Sequence, residues 1–198
     1  DTLSCPTFYR TYQSSNADTL ATDSIEFSME LLMKTGKSFG GGYLISVDNR
    51  GYIVLNDQRL QGRVNFYDGS SARLDVLLNG VGRADPTYYS DEKWHHIVFT
   101  FSSKTGEMKF YVDGVSPPGF NRLLGPTKKL AVPGRIRPGG SFHSCYQLSG
   151  PWFEGCIDEV AVYRDVLSPA NVYQHYTDAI LNGLHYDFSD PGAITIPY

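Results

Sequence analysis

The chain has 198 residues, 41% of them apolar and 19% charged, with a formal net charge of −4 at pH 7. That apolar share fills one substantial core, and the length suits a single large all-β domain. The acidic balance, with no extended Lys/Arg cluster, excludes an electrostatic footprint for nucleic acid, and no apolar run is long enough for membrane insertion.

Residues 1–13 carry Phe8, Tyr9 and Tyr12 and are expected to form an edge strand, followed by a polar loop through Asp23. The cleanest strand comes next: Ile25, Phe27, Met29, Leu31 and Met33 alternate with Glu26, Ser28 and Glu30. Period-two alternation puts one set on a buried face and the other on a solvated face. After a Gly-rich turn over 37–42, residues 43–47, 51–56, 62–68 and 72–78 read as short strands with turn residues between them. Residues 80–93 form a long loop. Trp94 to Gly114 reads as an amphipathic hairpin. Ile97, Phe99 and Phe101 alternate along one arm, Met108, Phe110 and Val112 along the other. Gly106 sits in the hairpin loop, where positive φ is needed, and Asp113-Gly114 supplies a second turn.

Residues 115–129 form another loop, and 130–141 hold at most a short strand. Phe153 to Tyr163 is a late strand. A helix follows, with Ser168 as N-cap, Pro169 at the first helical position and Asn182-Gly183 as its end. Val172, Tyr176, Ala179 and Ile180 share its packing face. The pattern predicts an all-β antiparallel two-sheet sandwich, capped by one short C-terminal helix, over residues 1–183. The tail 184–198 alternates again and is a final strand, a linker, or a strand for self-assembly with a neighbouring subunit.

The three cysteines are Cys5, Cys145 and Cys156, and sequence alone allows three pairings. Cys145 and Cys156 enclose a short Gly/Pro/Ser loop and are the expected disulfide. A disulfide would place the protein outside the reducing cytosol, secreted or on the extracellular surface. The chain opens on Asp1 with no leader-like segment and is expected to be a mature, processed or excised form.

Two blocks carry a family likeness. The first is DEKWHHIVFTFSSKTGEMKFYVDGV, with Trp94-His95-His96 and Tyr111 to Gly114. The second is WFEGCIDEVAVYRDVLSPANVYQHY, with Phe153 to Val160 and Leu167-Ser168. Together they resemble the laminin-G-like (concanavalin A-like) jelly roll, over roughly residues 24–176. The resemblance implies a jelly-roll sandwich that binds carbohydrate, mediates adhesion, or serves as an accessory module of a polysaccharide-degrading enzyme. Some relatives are only structural parts of larger assemblies.

Asp158 shares the apolar parity of Val160 and Val162, so without a bulge its carboxylate faces the interior. A buried carboxylate needs a cation, an Arg or backbone donors. The resemblance implies a structural Ca2+ near such a residue, with Asp23, Asp48 and Asp57 as unranked co-ligands; the alternative is a bulge with Asp158 hydrogen-bonded to a turn. His95 and His96 point to opposite faces of one strand and are read as structural, with Trp94 in the core. Gly36 to Gly40 matches the string of a hydrolase elbow, but it joins two strands rather than a strand and a helix. Glu26 and Glu30 lack the run of acids a glucanase strand carries and are read as a solvated face.

Sugar binding needs an exposed aromatic to stack on a ring, with polar groups nearby. One loop with that mix holds Arg83, Asp85, Tyr88 and Tyr89, and another holds His143 and Trp152. Such aromatics can equally pack onto the protein or a partner subunit. The expected function is non-catalytic binding of a glycan or glycosylated surface. A structural subunit of a filament, capsid or surface assembly ranks second, and a polysaccharide-active enzyme third.

Overall fold

The computed structural model describes residues 26–36, 42–56, 59–78, 89, 91–125, 129–131, 136–138, 153 and 155–181. Ten strands are present: β1 (Glu26–Lys34), β2 (Gly42–Val47), β3 (Gly51–Asn56), β4 (Arg59–Asn65), β5 (Ser71–Leu77), β6 (Trp94–Ser102), β7 (Glu107–Val112), β8 (Asn121–Leu123), β9 (Ile136–Pro138) and β10 (Cys156–Tyr163). They form two five-stranded sheets, ordered β10-β1-β6-β7-β8 and β5-β4-β3-β2-β9. All the ladder pairs described are antiparallel. The helix α1 (Pro169–Tyr176) continues as one π-helical turn over Thr177–Leu181. This is the antiparallel jelly-roll sandwich with a short C-terminal helix that the alternation predicts.

The core lies between the inner faces of the two sheets. From the first sheet come Phe27, Met29, Phe99 and Phe110; from the second, Ile53, Leu60, Val64 and Val76, all buried. At Gly62 an added Cβ would sit 2.4 Å from Cε2 of Phe99, so the ring fills the place of a side chain on the opposite sheet. The hairpin turns form as expected: Gly106 has φ of 71°, and Asp113 and Gly114 have 51° and 77°. The strand β8, inside the stretch read as a loop, has only three residues, all exposed, and leaves too short a pattern to detect.

The largest departure concerns the outer face of the first sheet. Ser28 and Glu30, read from sequence as solvated, are 0% and 5% exposed. The helix and the segment before it cover them. Val98, Tyr111, Leu167 and Val172 form a second apolar cluster there, with Tyr163 against it. The Ser28 hydroxyl donates to the Asp165 carbonyl (2.7 Å) and accepts from the Leu167 amide (3.0 Å), fixing the chain that leads into α1. Ser168 caps the helix as predicted, accepting from the Asn171 amide at 3.1 Å. Trp94 has the parity of His96, not of Ile97, and is half-buried rather than in the core.

A bulge in β10 corrects the placement of Asp158. Ala161 pairs with Glu30 and Asp158 with Leu32, so one extra residue is taken up between them. Glu159 lies in this bulge with φ of 49°. Ile157, Val160 and Val162 therefore pack on the core, while Asp158 shares the parity of Leu32 on the outer face. Its Oδ1 accepts from the Glu159 amide at 2.9 Å.

Candidate functional site

Of the residues expected to meet a sugar, Arg83, Asp85, Tyr88, His143 and Trp152 lie outside the described residues, as do Cys5, Cys145 and the tail 184–198. Tyr89 is half-buried, packs on the core, and meets the His95 ring edge-on at 5.1 Å. Cys156 is buried at the head of β10. Among the described residues, no three His, Cys, Asp or Glu side chains gather as a metal-ligand set. Nor is any helix among them long and apolar enough to cross a membrane.

The polar groups of the first sheet are committed to structure. Glu30 receives hydrogen bonds from His96 Nε2 (2.6 Å), His175 Nδ1 (2.9 Å) and the Tyr163 hydroxyl (2.5 Å). One carboxylate thereby ties β1, β6, β10 and α1. Burial alone would raise its pKa, but the bonds from His175 and His96, the pull of His96 and the Tyr163 bond bring it down to about 2. A carboxyl that stays ionised to so low a pH is unsuited to general-acid work. His175, bonded to this carboxylate, is raised above its ordinary 6.5. Glu26 is bound by Ser102 and Lys104 at 2.8 and 2.7 Å. His95, facing the opposite way from His96, bridges Asp113 (3.0 Å) and Asp91 (3.1 Å). Burial would lower its pKa, and the bonds and charges of those two carboxylates raise it instead.

The second sheet presents a different outer face. Strand register sets two adjacent rows across it. One runs Arg73, Arg63, Tyr52, Ser46 and the other Asp75, Gln61, Val54, Tyr43. Tyr43 and Tyr52 meet edge-to-face with centroids 5.1 Å apart. Arg63 lies over the Tyr52 ring at 5.9 Å. The Tyr52 hydroxyl donates to Gln61 Oε1 (3.2 Å), and Gln61 Nε2 donates to Asp75 Oδ1 (2.8 Å). This chain of bonds across β3, β4 and β5 holds the polar groups in place before any ligand arrives. Both tyrosines are half-buried, and Asp75 and Arg73 are exposed. An aromatic pair edged by an amide, a carboxylate and guanidinium groups can take the apolar face of a sugar ring and meet its hydroxyls.

Sequence reading sought exposed aromatics in loops and passed over this face. The signal was present: Tyr52, Gln61, Arg63, Arg73 and Asp75 all hold the polar parity of their strands, and only the sheet order brings them together.

Comparison with known proteins agrees with the architecture. A family model described as the concanavalin A-like lectin/glucanases superfamily matches residues 10–173. The chain belongs to this family. A search of the curated proteins finds no match. Among solved structures, the chain is similar to a Ruminococcus gnavus IT-sialidase CBM40 bound to α2,3-sialyllactose. The TM-score is 0.59 and the identity 15%, over 78% of this chain and 84% of that one. It is also similar to the binding domain of botulinum neurotoxin serotype G, with TM-score 0.57 and 14% identity over 77% of this chain. The binding domain of Paraclostridial Mosquitocidal Protein 1 gives TM-score 0.55 and 14% identity over 78% of this chain. The chain spans only 36% and 37% of those two toxin domains. At these identities the likeness shows the fold.

Proposed function

We propose that this domain binds carbohydrate without breaking it down, at an extracellular surface. The observation that carries the reading is the outer face of the second sheet, where Tyr43 and Tyr52 are half-buried with Gln61, Asp75 and Arg63 already fixed around them. Superfamily membership and the fold shared with a sialyllactose-bound module support it. The engagement of Glu30 by His96 and His175, and of Glu26 by Ser102 and Lys104, supports a non-catalytic role.

The loop residues Arg83, Asp85, Tyr88, His143 and Trp152 form a second proposed contact region, resting on their chemistry alone. A glycan array compares the two regions. Tyr52→Ala is expected to abolish retention while the melting transition is kept. If Tyr88→Ala or Trp152→Ala abolishes it and Tyr52→Ala does not, the site moves to the loops. If wild type retains no glycan, the reading fails.

Two structural supports belong to the same proposal. The Cys145–Cys156 disulfide is supported by the burial and bonded state of the Cys156 sulfur, and a mass shift on reduction and alkylation tests it. Calcium at Asp158 would use the oxygen not bonded to the Glu159 amide, with ligands from outside the described residues. A calcium-dependent rise in Tm supports it; an unchanged melt in chelator removes it. Assembly through residues 184–198 rests on their alternating sequence alone, and removal of the tail followed by a mass measurement tests it.

A further inference from the structure

At the end of the sandwich where β2 turns into β3, the core encloses a cation. Arg50 is 1% exposed and is among the largest fully buried side chains. Its backbone is fixed on both sides: the amide donates to the Val47 carbonyl (3.0 Å), and the carbonyl accepts from the Asn65 amide (2.7 Å). The Asn65 carbonyl in turn accepts from the Ala131 amide at 3.0 Å. The guanidinium donates through Nε to the Ala131 carbonyl at 3.2 Å and lies over the Phe27 ring, 5.8 Å from its centroid. The β2–β3 turn, the end of β4 and the 129–131 segment thus hold one side chain in one place.

Nη1 and Nη2 are buried and have no hydrogen-bond partner among the described residues, so no carboxylate among those residues pairs with them. Burial brings the Arg50 pKa down to about 10, and the group still carries its charge at neutral pH. At 5.8 Å the Phe27 ring lies near the outer limit of about 6 Å for a cation–π contact, too weak an offset for a buried ion. An unpaired buried charge is costly, and arginine does not escape that cost by giving up its proton. Water would satisfy the N–H groups but bring no charge. An anion does both, and the planar fork of donors suits one. Both Nη atoms are shut off from solvent, so the anion is small or belongs to the chain itself. An oligosaccharide does not reach them.

We propose that Arg50 is a buried anion site that takes one monovalent anion across Nη1 and Nη2. That chemistry has two sources. One is a free halide from solvent. The other is the Asp23 carboxylate, which lies outside the described residues. Asp23 stands four positions before Phe27, a reach of at most about 14 Å along the chain. Glu26, nearer in sequence, is bound by Ser102 and Lys104. The site is separate from the proposed sugar-binding face and does not depend on it.

Thermal melts of the whole chain in sodium chloride, bromide and gluconate at one ionic strength test the first source, because gluconate is too bulky to be enclosed. With a free halide, Tm rises with the logarithm of chloride or bromide concentration, and Arg50→Met loses that rise. Crystals grown in bromide then show one anomalous peak between Nη1 and Nη2, a result that needs no variant. With the chain's own carboxylate, the melts in the three salts agree and Asp23→Asn lowers Tm. That loss disappears in the Arg50→Met background, because the two residues act as a pair. Titration of the Asp23 carboxyl by NMR in the wild-type chain then gives a pKa below the ordinary Asp value, again without a variant. A salt response kept in Arg50→Met, with no bromide peak, is a general salt effect and counts against the halide. The proposal is overturned if bromide gives no peak while Asp23 titrates at its ordinary value and its substitution adds independently to Arg50→Met.

Discussion

On the first sheet, the outward residues Ser28, Glu30, His96 and Val98 are buried: Glu30 bonds His96 and His175 of α1, Ser28 bonds the segment leading into α1, and Val98 belongs to the apolar cluster with Val172. On the second, the outward residues Tyr43, Tyr52, Gln61 and Arg63 stay half-buried with no helix among the described residues against them, and Asp75 and Arg73 stay exposed. Both faces come from alternating strands with polar residues at outward positions. What separates them is the direction of their hydrogen bonds. On the first sheet, bonds run from strand to helix and close a polar cluster. On the second, they run sideways along the sheet and leave donors and acceptors presented outward. A covered face contributes stability; an open one with fixed polar groups is available for recognition.

Substitutions can break that contrast one face at a time. Glu30→Ala should have the largest effect, because it leaves His96, His175 and Tyr163 without their shared acceptor. Breaking a buried charged network costs about 3–5 kcal/mol. Urea unfolding should show this loss, while glycan affinity measured well below the transition stays at the wild-type level. Tyr52→Ala should do the reverse, with affinity falling about tenfold, or about 1.4 kcal/mol, and little change in the melt. Ser168→Ala removes the cap of α1 and should cost about 1 kcal/mol of stability. Again no effect on sugar binding is expected.

The pH dependence should be smaller and should come from the covered face together with the His95 bridge to Asp113 and Asp91. Glu30 is depressed from 4.5 to about 2, so its contribution is complete above 4.5 and is lost as pH falls toward 2. His175 is raised above 6.5, so its contribution is complete below 6.5 and is lost as pH rises through its folded value. Thermal melts should therefore peak between about pH 4.5 and 6.5. His175→Gln should flatten the alkaline limb, and a limb that stays as steep would contradict the clamp.

Much of the fold was legible in the chain. The alternation in β1, β6 and β7 defined the strands, and Ser168-Pro169 marked the start of α1. Three things were not. Helical cover over Ser28 and Glu30 is invisible to period-two reading, since a polar residue under a helix has the same parity as one in water. The bulge at Glu159 depends on a single residue in left-handed conformation, and it reverses the side on which Asp158 falls. The Tyr43–Tyr52–Arg63–Arg73 surface is assembled from four strands, and sequence proximity does not reveal which strand lies beside which.

The account stands most directly on where a bound sugar lies. Amide chemical-shift perturbation on titrating a retained glycan into the labelled chain answers this. The predicted result is a contiguous set of shifts over β2 to β5, centred on Tyr52, Gln61, Arg63 and Arg73, with α1 and the residues around Glu30 unmoved. Shifts centred on α1 or on the 83–89 and 143–152 segments, with β3 and β4 unchanged, would contradict it.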